Sequence, residues 1–178
     1  AFDMYLLAMA SAGRGVPMTI LRPSNCYCPG QLLHRIIQRA IVAGLTWRKV
    51  PLHGGGRARK SYMHARDLAR AIFYVAETRT ERTHGRVYNV GPAGPTSIKC
   101  VASKCALALG VPFDSLFEVV DERLGQDGCY WLDSSAIQLD LGWTPEIGWD
   151  QGLGEMVDWG RKYIDQLRAW PTDYQLRA

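Results

Sequence analysis

Met18-Thr-Ile-Leu-Arg-Pro-Ser-Asn-Cys-Tyr-Cys-Pro-Gly30 reads as a buried strand that stops abruptly in a loop of polar and turn-forming residues. The run Met18-Thr19-Ile20-Leu21 is short and apolar or β-branched, with Gly15 and Pro17 before it and Pro23 after it. A parallel strand covered on both faces by helices has this look. Ligands of open α/β sheets bind outside the carboxyl ends of the strands, so Arg22, Pro23, Ser24, Asn25 and Tyr27 are the first residues to suspect of touching one. A plain turn accounts for the same residues equally well.

Working outward, Phe2, Tyr5, Leu6 and Met9 stand at helical spacing before this strand, with no N-cap ahead of them. The chain is therefore expected to begin inside a helix. After the strand, Leu33, Ile36, Ile37, Ala40 and Ile41 predict a helix over 32–44 with Gly44 as its C-cap. A strand over 47–52 should lead into His53-Gly-Gly-Gly56, where glycines allow a sharp turn or a close approach. Arg57-Ala-Arg-Lys60 and a strand over 61–65 follow. Asp67 is the expected N-cap of a helix over 68–77 with Leu68, Ala71, Ile72 and Val75 on one stripe. Beyond it come a strand over 86–90, a helix capped by Thr96 or Ser97 and ended by Gly110, and a strand over 117–120. A short helix after Asp133-Ser-Ser135 and a last helix capped by Asp150 complete the chain. Strands alternating with helices give an α/β class.

Composition narrows the partners. A net charge of +4 and a pI of about 8.9 suit an anionic small molecule but lack the clustered basic face of a nucleic-acid binder. The six tryptophans are spread out and not interleaved with basic residues. Cys26, Cys28, Cys100, Cys105 and Cys129 form no Cys-x-x-Cys and no disulfide framework, which fits free thiols in a reducing compartment. No apolar run approaches the roughly 18 to 20 residues that span a bilayer, and no signal peptide is visible. The expectation is a cytoplasmic protein with no membrane and no nucleic-acid partner.

Few motifs carry chemistry alone. Gly54-Gly-Gly-Arg-Ala-Arg-Lys-Ser61 superficially resembles a P-loop, yet Arg59 replaces the glycine before the lysine and a strand follows where a helix is needed. What remains is a glycine turn with Arg57, Arg59 and Lys60, which is either a solvated basic turn or a contact for a diphosphate. Arg123-Leu-Gly-Gln-Asp127 offers a second arginine in a glycine-containing loop. The histidines stand at no metal-ligand spacing, so no metal site is expected, and no Ser, His and Asp set occurs in a signature context.

Taken together, Leu21-Arg-Pro-Ser-Asn-Cys-Tyr-Cys-Pro29, His53-Gly-Gly-Gly56, Lys60-Ser-Tyr-Met-His64 with Asp67, Val87-Tyr-Asn-Val-Gly91, Arg123-Leu-Gly-Gln-Asp127 and Leu141-Gly-Trp-Thr-Pro145 resemble, in order, the sugar-nucleotide epimerases and dehydratases of the extended short-chain dehydrogenase/reductase family. The resemblance implies the last strands of a Rossmann-type doubly wound parallel sheet, in residues 1–30 and 62–91, plus a smaller α/β nucleotide-sugar domain in 31–61 and 92–178. It implies NAD as the cofactor of a complete enzyme and a nucleotide-diphosphate sugar as partner. The family's glycine fingerprint and Tyr-x-x-x-Lys pair are not among these residues, so no catalytic residue is assigned here, and the chain is expected to be inactive alone and not to retain NAD.

Carried over position by position, Pro23 matches the residue whose backbone meets the nicotinamide carboxamide, and Asn25 the asparagine that holds the diphosphate. His53 ends the strand that floors the base, Lys60 stands where the family has an arginine on the diphosphate, and Asn89 and Arg123 match positions near the nucleotide. Asp67 matches an aspartate read here as a helix cap. Cys28 departs from the family's Tyr-Gly-Pro, where glycine allows a positive φ, while Leu124 and Gln126 depart from Arg-Pro-Gly-His-Asp. A stand-alone, non-catalytic nucleotide-sugar module is the alternative reading. The isolated chain is expected either to self-associate through residues 1 to 25 or to leave that segment disordered or repositioned, with 31–61 and 92–170 as the stable part, since the strand at 18–21 would lack a neighbour.

Overall fold

The computed structural model describes residues 2–12, 17–78 and 80–171. In chain order these form α1 (Phe2–Ser11), β1 (Ile20–Pro23), β2 (Asn25–Tyr27), α2 (Ile36–Leu45), β3 (Val50–His53), a 3-10 turn (Gly54–Gly56), β4 (Arg59–Lys60), β5 (Tyr62–His64), α3 (Ala65–Glu77) and α4 (Thr80–Thr83). Then come β6 (Val87–Val90), β7 (Thr96–Ser97), α5 (Ile98–Leu109), α6 (Phe113–Leu116), β8 (Phe117–Val120), β9 (Cys129–Tyr130), α7 (Ser135–Leu141), α8 (Trp149–Lys162) and α9 (Ile164–Leu167). The chain is α/β, as its alternation of patterns implies. Contacts divide it into a first unit of residues 1–26, 61–94 and 131–146 and a second of 27–60, 95–130 and 147–178. The division departs from the expected domain bounds chiefly at 131–146, which packs in the first unit because Ile137 and Trp143 fill that unit's core.

In the first unit β1 and β6 run parallel, with Ile20 opposite Val87 and Pro23 opposite Val90. Alternation puts Leu21, Tyr88 and Val90 on one face, where α3 and α7 bury them with Met63, Ala71, Ile137 and Trp143. Arg22 points to the other face, and its Nη2 meets Asp3 of α1 at 2.7 Å. Helices thus flank the sheet on both sides.

The strand expected at 18–21 is displaced to Ile20–Pro23. Proline is tolerated as its last residue because the N–H that points to β6 comes from Ser24, which donates to Val90 O. Asp67 does not cap α3. His64 Nδ1 takes that place, accepting from Arg66 N, whereas Asp67 in the first turn is fully buried and accepts from Arg70 Nη1 at 2.9 Å and Glu146 N at 3.0 Å. Arg70 also pairs with Glu146, so the acid ties α3 to the loop before α8. Ile72, expected to be inward, is 53% exposed.

The second unit holds two small sheets, β3 parallel to β8, and β4 between antiparallel β7 and parallel β9. Helix α2 starts four residues later than its pattern predicts, and Gly44 lies within it, facing Leu109, instead of ending it. Thr46 closes that helix by donating from its N and Oγ1 to Val42 O. Strand β3 starts at Val50, since Trp47 adopts a left-handed φ of 55° and turns out to solvent. Ser97 caps α5 by accepting from Cys100 N, and Gly110 ends it at φ 71°. Gly148, not Asp150, stands at the N-cap of α8. Tyr163 then interrupts the expected single helix before α9. Leu153, Met156, Val157 and Leu167 are buried as their spacing predicts. Among the described residues, no helix is long and apolar enough to cross a membrane.

Candidate functional site

The residues singled out for binding fall into two groups, one in each unit. In the first unit, β1 and β6 end together, placing Pro23 opposite Val90 and Arg22 opposite Asn89. The chain after β6 lies close against Ser24, and glycine at residue 91 eases that approach. A Cβ there would come within 3.1 Å of Ser24 Cβ. Asn25 is fixed on both its nitrogens, the backbone N and Nδ2 donating to Ser61 O at 3.2 and 3.1 Å. Asn89 Nδ2 donates to Asp133 O, so the segment leading to α7 runs along the outer edge of β6. Ser134 Oγ and Trp131 Nε1 extend that cover by donating to Gly91 O and Pro92 O. Asp133 in turn accepts from Ser135 N, and this bond holds its carboxyl below the usual range.

Tyr27, suspected of reaching a ligand, does not serve as one here. It is 2% exposed, stacks on Trp149 with centroids 5.2 Å apart, and lies so close to α8 that a Cβ at Gly152 would be 2.5 Å from its hydroxyl. The ring anchors the loop. Cys28 needs no left-handed backbone, because Trp47 is the sole non-glycine residue with positive φ among those described. Gly30 takes φ 84° instead, and Gln31 N closes the turn on Cys28 O. Burial pushes the Cys28 thiol up.

In the second unit the chain leaves β3 through the glycine turn to enter β4, and leaves β8 through 121–128 to enter β9. Since β3 is parallel to β8 and β4 to β9, these two loops run side by side in the same direction. Three contacts tie them. His53 Nδ1 sits 3.1 Å from Asp121 O, the Glu122 carboxylate lies over Gly54, and Arg59 N donates to Gly128 O at 2.9 Å. The turn demands glycine at its ends. Gly54, Gly55 and Gly56 all have positive φ, and a Cβ on Gly54 or Gly56 would strike the Glu122 carboxylate or Lys99 N at 1.9 and 2.6 Å.

The loops leave the carboxyl ends of a parallel strand pair, the usual ligand position in α/β sheets. They carry Arg57 and Arg123, and neither guanidinium forms an ion pair among the described residues. Lys60 is held opposite Thr96 and Tyr130, and opposed residues share a face of the sheet. Thr96 and Tyr130 were not foreseen as neighbours of Lys60, because strands of two residues separated by 34 to 70 positions leave no periodic signal. Charge is segregated in the same sense. The second unit has fourteen Lys and Arg against ten Asp and Glu, the first seven against seven, and 27–60 contains seven cations and no carboxylate. Among the described residues no three His, Cys, Asp or Glu side chains cluster as metal ligands would.

Residues 1–91 match the model of the NAD dependent epimerase/dehydratase family. A dTDP-glucose 4,6-dehydratase of Streptomyces griseus is 34% identical over 93% of this chain and 48% of its own length. The crystal structure of dTDP-glucose 4,6-dehydratase from Bacillus anthracis in complex with NAD has 28% identity and a TM-score of 0.80, over 92% of this chain and 50% of that one. MoeE5 in complex with UDP-glucose and NAD has 28% identity and a TM-score of 0.77, over 89% and 52%. The chain therefore spans about half the length of the relatives it matches.

Proposed function

The chain belongs to the NAD-dependent epimerase/dehydratase family, and from that premise we propose that its second unit binds the nucleoside diphosphate of a nucleotide sugar, as part of an epimerase or 4,6-dehydratase. The observation that carries this reading is the pairing of the glycine-turn loop with the Arg123 loop at the carboxyl ends of β3 and β8. Two cation-bearing segments far apart in sequence meet there, and a diphosphate needs such convergence. Lys60 and Arg123 grip the phosphates, while His53 lies beside the base. In the first unit the amides of Asn25 and Asn89 are oriented by Ser61 O and Asp133 O.

Pro23 presents its backbone to the nicotinamide carboxamide, but it is the single residue here assigned to the cofactor. NAD supplies hydride transfer in this family. These residues contribute positioning, with no proton donor or acceptor for the sugar among them. The chain alone is accordingly silent in turnover and does not retain NAD.

Titration calorimetry with UDP and dTDP at low and moderate salt tests the binding site. Weak, salt-sensitive binding is expected, with Lys60→Ala and Arg123→Ala each losing about 1–3 kcal/mol. Binding indifferent to both substitutions would remove the site from these loops. Incubation with NAD and UDP-, dTDP-, GDP- and CDP-sugars should leave every sugar unchanged, and conversion of any one would overturn the assignment of the chain as non-catalytic.

A further inference from the structure

A carboxylate sits among the cations of the two paired loops. Glu122 directly precedes Arg123, and its carboxyl group lies over Gly54 at the start of the glycine turn. The three atoms nearest a Cβ built on Gly54 all belong to it. The backbone brings the acid there. β3 and β8 are parallel, with His53 opposite Val120, so their loops depart together, and His53 Nδ1 beside Asp121 O holds them in step. Glu122 Oε1 then accepts from Arg123 N at 3.1 Å. Gly54, at φ 55° and without a side chain, leaves the space that the carboxylate fills.

This placement opposes the binding of any anion. Arg57, Arg59 and Lys60 follow the turn, Arg123 follows Glu122, and Lys99 N approaches Gly56 from α5. Glu122 forms an ion pair with none of these cations among the described residues. Its charge is therefore not cancelled by a partner, and a bound diphosphate meets it directly. Asp121 and Asp127 stand in the same loop and add to the field. Repulsion in a binding site lowers affinity for every anion, and most for the one with the highest charge. Such an element serves selectivity.

We propose that Glu122 makes these loops select a nucleotide sugar over the free nucleoside diphosphate by reading the charge of the terminal phosphate, an inference that rests on the nucleotide site proposed above. The two ligands share base, ribose and first phosphate, so contacts to those parts do not separate them. The second phosphate does. In the sugar it is a diester with a single negative charge. In the free diphosphate it is a monoester whose second proton leaves near about pH 6, so that at pH 8 it is doubly charged. A carboxylate beside it then meets twice the charge, and the Coulomb penalty doubles. Lys60 and Arg123 favour the more highly charged ligand by the same law. Glu122 offsets that bias.

Titration calorimetry of the 178-residue chain at pH 8, in EDTA and low salt, with UDP, UDP-glucose and the methyl ester of the terminal phosphate of UDP tests the proposal. The methyl ester has the charge of the sugar ligand without the sugar. Glu122→Gln keeps the length of the side chain and an oxygen for Arg123 N. Glu122 is open to solvent, so water weakens its effect to a few-fold. The substitution should tighten UDP-glucose and the methyl ester about threefold and UDP about tenfold, roughly the square of that factor, because the repelled charge is doubled. Salt at 300 mM should shrink the difference. Glu122→Ala takes its place if far-UV circular dichroism shows Glu122→Gln unfolded. Equal gains for the three ligands overturn the proposal, as does unchanged or weaker binding in the variant. A methyl ester that behaves like UDP overturns it too, since sugar contacts would then separate the ligands. Lys60→Ala, run in parallel, keeps the two readings apart. If it weakens all three ligands while Glu122→Gln does not discriminate, the nucleotide site stands and the selectivity falls, whereas no binding of any ligand removes both.

Discussion

Gly152 shows how one missing methyl group shapes the loop after β1. Tyr27 is clamped between the Trp149 ring and the backbone of α8, and a Cβ at residue 152 would lie 2.5 Å from its hydroxyl and 2.9 Å from Cε2. Alanine would favour the helix by up to about 1 kcal/mol, but the ring cannot retreat, and overpacking of this kind costs about 1–3 kcal/mol. Gly152→Ala should therefore lower stability in urea unfolding. Gly154→Ala, two residues on with open space at its Cβ, should raise it by about 0.5–1 kcal/mol. Tyr88 supplies a pH-dependent case. Burial, and then the hydrogen bond it donates to Asp140, raise its phenol above the ordinary value. A group whose folded pKa lies above its unfolded one stabilises fully below the unfolded value, near 10 for tyrosine, and loses that contribution as pH rises through the folded value. Tyr88→Phe should cost about 1 kcal/mol at neutral pH and flatten the fall in stability above pH 10, as followed by urea midpoints across that range.

At the scale of elements, α3 is held at its start by a buried acid. Asp67→Ala would leave the Glu146 N–H without its acceptor and take one of the partners of Arg70, an expected loss of about 2–3 kcal/mol, and Asp67→Asn, which keeps Oδ1 as an acceptor, should lose less. Paired urea titrations decide between them. The sequence marks this aspartate as belonging to a helix start, yet assigns it the wrong task, because its partner Glu146 is 79 residues away. The same rule runs through the chain. Periodic spacing placed α2 and α8 and the buried residues of α8, since helical packing repeats locally, and cap residues placed α5. Boundaries moved where a non-local bond ends the element, as at Ile20, or where the backbone turns, as at Trp47. Among the site candidates, Lys60 and Arg123 could be suspected from their glycine loops, but the contact of those loops through Asp121, Glu122 and Gly128 was invisible in one dimension.

At the scale of the molecule, the excess positive charge belongs wholly to the second unit. An anionic ligand should accordingly change that unit and spare the other. With UDP or dTDP added, hydrogen exchange should slow at residues 53–60 and 121–130, and raising salt from 50 to 300 mM, which shortens the screening length to about 6 Å, should reverse it. Slowing confined to 62–90 instead would move the ligand to the first unit.

The interleaving of the two units bears on how the polypeptide is made. The chain passes from one unit to the other five times, and each unit takes its last segment from beyond residue 130. The first core is unfinished without Ile137 and Trp143, and the cluster of Leu33 and Val42 waits for Leu167. During synthesis neither unit can close while its earlier pieces emerge from the ribosome, so the folding of both is postponed until residues beyond 130 have been made. A premature termination anywhere before α7 leaves two incomplete cores where a chain of sequential domains would leave one finished and one missing.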